Sequence, residues 1–176
     1  MKEISEKEAI GLLKKYSKNK KTYNLVLAHS KLVQKVALKI AKKIKGVDTE
    51  FIKTAALLHD IGRFRCPPGP KTIFHGVEGA KILRKEGLLK HARLAERHLG
   101  AGINKKDIEE QRLPLPKKDY MPKTIEEKII AHADNLVFGA RVGTLKEVEA
   151  RFRKEVSEKI ARRARNLYNS IKAKFA

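Results

Sequence analysis

Tryptophan is absent from these 176 residues, and the chain holds only one cysteine and two methionines. A lone Cys66 excludes an internal disulfide and suits a reducing compartment. No apolar run approaches the roughly 18 residues a membrane span requires. The opening Met1-Lys2-Glu3-Ile4-Ser5-Glu6 has no apolar secretion-signal stretch, so a cytoplasmic location is expected. Acidic residues are scarce too. Twenty Asp and Glu stand against 41 Lys and Arg, a formal charge of +21, which implies attraction to polyanions: nucleotides, nucleic acids or anionic membrane surfaces. Charge alone does not choose among them. Period-two alternation, internal repeats, low-complexity tracts and an obvious linker are also lacking, so no sheet is expected and one domain accounts for residues 1–176.

What is present reads as helix. Ser5-x-x-Glu8 is a capping box for a first helix to about Lys15. From about Tyr23 to Ile44, Leu25, Leu32, Val33, Val36, Ile40 and Ile44 recur at the helical period. Gly46 ends that helix, and Asp48 caps the next, from about Thr49 to Asp60. Three prolines within Cys66–Pro70 force a loop. Helices from about Phe74 to Glu86, Leu88 to Leu99 and Asn104 to Gln111 follow. A second irregular stretch carries Pro114, Pro116 and Pro122. Thr124-x-x-Glu127 opens a helix running to about Gly139. Thr144-x-x-Glu147 opens one long final helix with a stripe of Leu145, Val148, Phe152, Val156, Ile160, Leu167 and Ile171. The expected architecture is an all-α bundle. Its two proline-rich loops are longer than compact packing needs, as loops bordering a binding site often are.

Against this pattern four polar residues are out of place. His59-Asp60 ends an apolar helix just before Gly62. His29 lies four residues after Leu25 and three before Leu32, and Asp134 four after Ile130 and three before Val137, so both share an apolar face. A buried carboxylate without a partner is costly. One divalent metal held by His29, His59, Asp60 and Asp134 resolves all four placements at once. Each alone has a plainer reading, a satisfied core histidine or an Asp paired with lysine. His132, about 200° around the helix from Asp134, and His91, two turns before His98, are expected to be non-ligands. Arg63, just after the Gly62 turn, is the leading candidate to face a phosphate; Arg97 and Lys71 are weaker ones.

The order His29, His59-Asp60-Ile61-Gly62, Asp134 on a helical chain resembles the HD superfamily of metal-dependent phosphohydrolases, in the spelling that gives its HDIG motif. The likeness spans about residues 22–140, leaving a basic helical extension at about 144–174. Two further stretches, His75-Gly76-Val77-Glu78-Gly79-Ala80 and Arg97-His98-Leu99-Gly100, are similar to segments of members with two metals, such as bacterial diadenosine tetraphosphate hydrolases. The resemblance implies a second metal on His75 and His98, with Asp60 bridging both ions, and catalytic roles for Asp60, His59 and Arg63. Gly76 and Gly79 would let backbones approach closely. It also implies a phosphorylated small-molecule partner, first of all a nucleotide or dinucleotide polyphosphate. Metal identity stays open among Fe, Mn, Ni, Co, Zn and Mg.

Two departures widen the choice of ligand: the insertion from Arg112 to Lys123, and the helix from Thr144. No Gly-Tyr-Pro follows His59-Asp60, which argues against the cyclic-dinucleotide phosphodiesterase branch. One rival reading is a nucleic-acid-binding or regulatory module with a structural metal, supported by Arg151, Arg153, Lys154, Lys159, Arg162, Arg163 and Arg165. Aromatic residues for base stacking are sparse on that helix. The other rival is a diiron oxygenase of the HD type.

Overall fold

The computed structural model describes residues 3–176. The order is α1 (Glu6–Tyr16), α2 (Lys20–Ala41), α3 (Thr49–Leu58), α4 (His75–Lys85), α5 (Leu89–Arg97), α6 (Lys105–Glu110), α7 (Ile125–Asn135), β1 (Val137–Phe138), β2 (Arg141–Val142), α8 (Leu145–Glu155) and α9 (Glu158–Lys172). The architecture is all-α, as the helical periodicity indicates. The sequence-predicted capping boxes form at Ser5/Glu8, Thr124/Glu127 and Thr144/Glu147. Asn104/Asp107 forms a fourth, and Asn19 starts α2 three residues earlier than the apolar period suggests.

α3 sets the centre. Phe51, Ile52, Thr54, Ala55, Ala56, Leu57 and Leu58 are all buried. A helix apolar on every side must be surrounded, and α1, α2, α5 and α7 pack around it. On one side of α3, Ala9 and Leu13 of α1 join Leu83, Ala92 and Ala95 of α4 and α5. On the other, Val33 and Ala37 of α2 meet Ile129, Ile130 and Ala133 of α7, with Leu167 and Ile171 of α9 closing the cluster. The two His-Asp residues therefore emerge at the middle of the molecule. There the chain leaves the α-helix, with Asp60 at φ −100°, ψ 12°, and enters a 3₁₀ turn over Ile61–Phe64.

Two expectations are corrected. The absence of a sheet gives way to a two-residue antiparallel ribbon, Val137 with Val142 and Phe138 with Arg141, turned at Gly139 with φ 61°. A ribbon that short leaves no readable alternation. The single long helix from Thr144 is broken at Val156, and Ser157 caps a separate α9 by accepting from Ile160 N–H at 3.3 Å. α9 then doubles back on α8 through Val148, Phe152, Ile160, Ala161 and Ala164. Arg165 pairs with the buried carboxylate of Glu149 across the hairpin. Val156 thus lies 46% exposed at the bend instead of on the packing stripe.

Candidate metal centre

Six side chains from five segments converge: His29 from α2, His59 and Asp60 after α3, His75 at the start of α4, His98 just after α5, and Asp134 near the end of α7. His29 Nε2 lies 3.0 Å from Asp134 Oδ1 and 3.6 Å from Asp60 Oδ2. His59 Nε2 lies 3.6 Å from Asp134 Oδ1 and 3.9 Å from Asp60 Oδ2. The other oxygen of Asp60 faces the opposite pair, with Oδ1 3.1 Å from His75 Nε2 and 3.5 Å from His98 Nε2. Asp60 accordingly stands between two half-sites, each carboxylate oxygen turned to two imidazoles.

Local backbone fixes how the imidazoles point. His59 Nδ1 is 2.7 Å from Ala56 O, His75 Nδ1 2.5 Å from Thr72 O, and His98 Nδ1 2.7 Å from Ala95 O, each three residues back. A carbonyl can only accept, so each Nδ1 donates and each Nε2 presents its lone pair to the centre. Carbonyl anchoring of the remote nitrogen is the arrangement that metal-binding histidines use.

Glycines set the spacing. A Cβ on Gly62 would sit 1.9 Å from His75 O and 2.6 Å from Gly79 N, and one on Gly76 would meet Ala95 O at 2.8 Å. The amino end of α4 is thereby wedged between the Gly62 turn and α5, which brings His75 against both Asp60 and His98.

The donor set fits a divalent cation. His75 Nε2 and His98 Nε2 face each other at 3.0 Å with both Nδ1 atoms already committed as donors. Two lone pairs at that distance call for a cation or a proton between them. His59 Nε2 is fully buried, too far from either carboxylate to hydrogen-bond, and no other described group reaches it. Burial alone would lower the His59 pKa, but the charges of Asp60 and Asp134 outweigh it and lift it to about 9. The site favours positive charge at that point. Burial likewise opposes ionisation of both aspartates, yet His59, His75 and His98 hold Asp60 well below the carboxylate range. His29 and His59 do the same for Asp134. Sets drawn from His29, His59 and Asp134, and from His59, Asp60 and His98, could each hold a metal ion.

Above the buried imidazoles opens a cavity of about 390 Å³, bordered by His29, Asp60, Arg63, Asp134, Pro67 and Arg151. Arg63 Nε is 3.3 Å from both oxygens of Asp60, beside the centre where the turn after Gly62 predicts it. Two expectations change here. Leu25 is 63% exposed and borders the cavity mouth instead of lying in the core. The proline loop contributes Pro67 and Pro68, but the Arg112–Lys123 insertion packs elsewhere around Tyr120. Arg97 is committed to the buried Glu127, at 3.0 and 3.2 Å. Lys71 stays exposed outside the cavity lining. Arg151 is the addition that sequence reasoning missed. Its guanidinium lies 4.6 Å from the Phe138 ring centroid, donates to Asn135 O at 3.3 Å, and pairs with no carboxylate among the described residues.

The remaining histidines lie apart, as their spacing predicts. His132 stacks near Tyr168, ring centroids 5.2 Å apart, on the far side of α7. His91 packs on Phe51 and bonds Thr54 Oγ1 through Nε2 at 2.9 Å. Burial, helped by Lys90 and opposed by Asp48, pushes His91 from 6.5 down to about 4. The unfolded chain then binds the extra proton between pH 6.5 and 4, so stability contributed at neutral pH is lost as pH falls through that window, by on the order of 2 kcal/mol. Urea unfolding of wild type and His91→Gln across pH 4–7 should show a shallower slope in the variant. Equal slopes would remove His91 as the source.

Residues 26–139 match the HD domain family, which covers the α2–α7 scaffold and five segments of the centre. The chain belongs to the HD domain family. An uncharacterized protein of Methanocaldococcus jannaschii is 47% identical over 133 residues, 75% of each chain. Proteins named tRNA (cytidine(56)-2'-O)-methyltransferase from Picrophilus torridus and Thermoplasma volcanium are 39% and 40% identical over 88% and 94% of this chain. This HD chain spans less than half of their length, 43% and 46%. Among solved structures, the HD domain of the L. monocytogenes phosphodiesterase PgpH superposes with a TM-score of 0.55, covering 94% of this chain and 97% of that one. At 17% identity that likeness bears on the fold, which is the HD fold with α8 and α9 packed on it.

Proposed function

We propose that this HD protein is a metal-dependent phosphohydrolase with two divalent ions per chain, acting on a nucleotide or dinucleotide polyphosphate. The observation that carries the reading is Asp60, whose two oxygens each face a separate pair of imidazoles. His29, His59, Asp60 and Asp134 would hold one ion; Asp60, His75 and His98 would hold the other. Bound divalent ions in such a site supply water acidified toward neutral pH and positive charge for phosphate oxygens.

The chain's own groups do the rest. Asp60 and Asp134, kept ionised by their histidines, hold negative charge at the floor of the cavity and orient water there. Arg63 and Arg151 project positive charge from two sides toward the equatorial oxygens of a phosphate, which phosphoryl transfer requires. Leu25, Pro67 and Pro68 offer an apolar lip for the non-phosphate part of the substrate. The test is metal analysis of purified protein together with a nucleotide and phosphate-ester panel in Mn, Fe, Ni, Co, Zn and Mg. Close to two metals per chain and phosphate release without oxygen uptake are expected. Oxygen consumption would transfer the centre to the oxygenase class.

Arg151→Ala tests the cavity separately. A charge-assisted hydrogen bond is worth about 1.5–3 kcal/mol, so KM should rise roughly 10-fold or more with kcat little changed. Arg63→Ala, next to Asp60, should lower kcat as well. An unchanged KM in Arg151→Ala would take that residue out of substrate binding.

The names of the P. torridus and T. volcanium relatives favour a second reading, in which the chain serves as an RNA-binding module beside another activity. Steeply salt-dependent RNA binding by metal-free protein, with no turnover to lose on His59→Ala, would support it over hydrolysis.

A further inference from the structure

On the other side of α7 from Asp134 lies a second cavity, also of about 390 Å³, between α2, α7 and α9. Its walls are apolar, with Val36 and Ile40 of α2, Leu136 after α7 and Ile171 of α9 among them. Two features do not fit an unoccupied core defect. His132 is 4% exposed and lines this cavity, yet neither ring nitrogen hydrogen-bonds to any described residue. The Tyr168 ring stands beside it at 5.2 Å. Around the rim, Lys35 and Lys39 of α2 and Lys43 just after it stand four residues apart, Lys43 over the Phe175 ring at 5.1 Å, and none pairs with a carboxylate among the described residues. This is the middle of a stretch from Glu8 to Asp48 that holds no acidic residue between its ends.

A shelf between α2 and the ribbon turn leads away from this cavity. It shares Leu32 and Lys35 with the cavity, and Leu25 and His29 with the metal-centre cavity. Lys31, exposed, stands along it. The three depressions therefore neighbour one another along α2, the first two edged by lysines.

We propose that the α2–α7–α9 cavity is a nucleobase pocket, with Lys35, Lys39 and Lys43 holding the phosphate attached to that base. The chemistry decides the class of occupant. An aliphatic chain would leave His132 without a hydrogen-bond partner in an apolar wall, which is costly. A nucleobase offers a π-face to Tyr168 and hydrogen-bonding edges to His132. Three ammonium groups without a carboxylate partner at the mouth select an anionic tail. The pocket goes beyond the hydrolytic reading and does not require it, since no metal ligand lines the cavity.

The occupant is either a free nucleotide or the end of an oligonucleotide, two sources of the same chemistry. The test is calorimetric titration of the whole metal-free chain, in EDTA at fixed salt, with 5′-AMP, ribose 5-phosphate and a 5′-phosphorylated trinucleotide. AMP should bind saturably, one per chain, and ribose 5-phosphate at least tenfold more weakly. Tyr168→Leu and the double variant Lys35→Ala/Lys39→Ala should each weaken AMP at least tenfold, while Lys117→Ala, exposed and lining none of the three depressions, leaves it unchanged. The two lysines are exposed, so the double variant should fold normally, checked by its melting temperature. Trinucleotide binding tenfold tighter than AMP identifies a strand end; equal affinity identifies a free nucleotide. The pocket assignment is overturned by ribose 5-phosphate matching AMP, or by AMP affinity unaltered in both variants. Uptake of a fatty acid in place of AMP, or a dimer that both variants dissociate, also overturns it.

Discussion

Asp60→Asn should abolish hydrolysis, lowering kcat by about 10³-fold or more, the scale on which charge-stabilising groups contribute in hydrolytic sites. The substitution keeps shape and removes charge. In the present structure that charge faces His29 and His59 through one oxygen and His75 and His98 through the other. No neighbouring carboxylate can replace it on the His75–His98 side, because Asp134 approaches only His29 and His59. Metal content should therefore fall by at least one ion per chain, read by mass spectrometry on the same preparations. His75→Gln should remove one ion while leaving the His29–His59–Asp134 set in place. Turnover and metal content both unaltered in Asp60→Asn would defeat the two-ion reading.

Gly62→Ala is expected to have the largest effect on folding. The added methyl would lie 1.9 Å from His75 O and 2.6 Å from Gly79 N, both backbone atoms of α4 that no side-chain rotation can clear. Relief requires α4 to move off the Gly62 turn, and overpacking of that kind costs about 3 kcal/mol. For a chain of this size the melting temperature should drop by roughly 10 °C. Because α4 carries His75, the His75–His98 half should lose its ion before the His29–Asp134 half does. Gly11→Ala provides the contrast. It is exposed in α1 with nothing within 4 Å of the new methyl, and should stabilise by about 0.5–1 kcal/mol. Gly62→Ala melting like wild type would show that the close approach of α4 is not required.

Much of the centre is legible because each polar group interrupts an apolar helical period. His29 and Asp134 are noticeable only against the leucines and isoleucines three and four residues away, and α2 and α7 do carry them into one place. His75 and His98 have no such local signal. They become readable through likeness to a family, and the physical reason for their nearness, Gly62 against His75 O and Gly76 against Ala95 O, exists only in three dimensions. Arg151 is the opposite case. It is one cation in a basic helix, and only the fold seats it on Phe138 of the ribbon and in the same cavity as Asp60. The bend itself is hidden because the apolar stripe continues through Val156 in step, while Ser157 caps α9 with Ile160, not Glu, three residues on.

The doubling back of α9 bears on what can be inherited as a working piece. The family match stops at residue 139, yet Leu167 and Ile171 of α9 sit 7% and 0% exposed against Val33 and Ile129, and Leu13 of α1 is as deeply enclosed on the other flank. A fragment trimmed to the matched span would lose α1 from one flank of the core and α9 from the other. The matches to the P. torridus and T. volcanium proteins run over 155 and 167 residues, so the likeness extends past the matched span into the flanking helices.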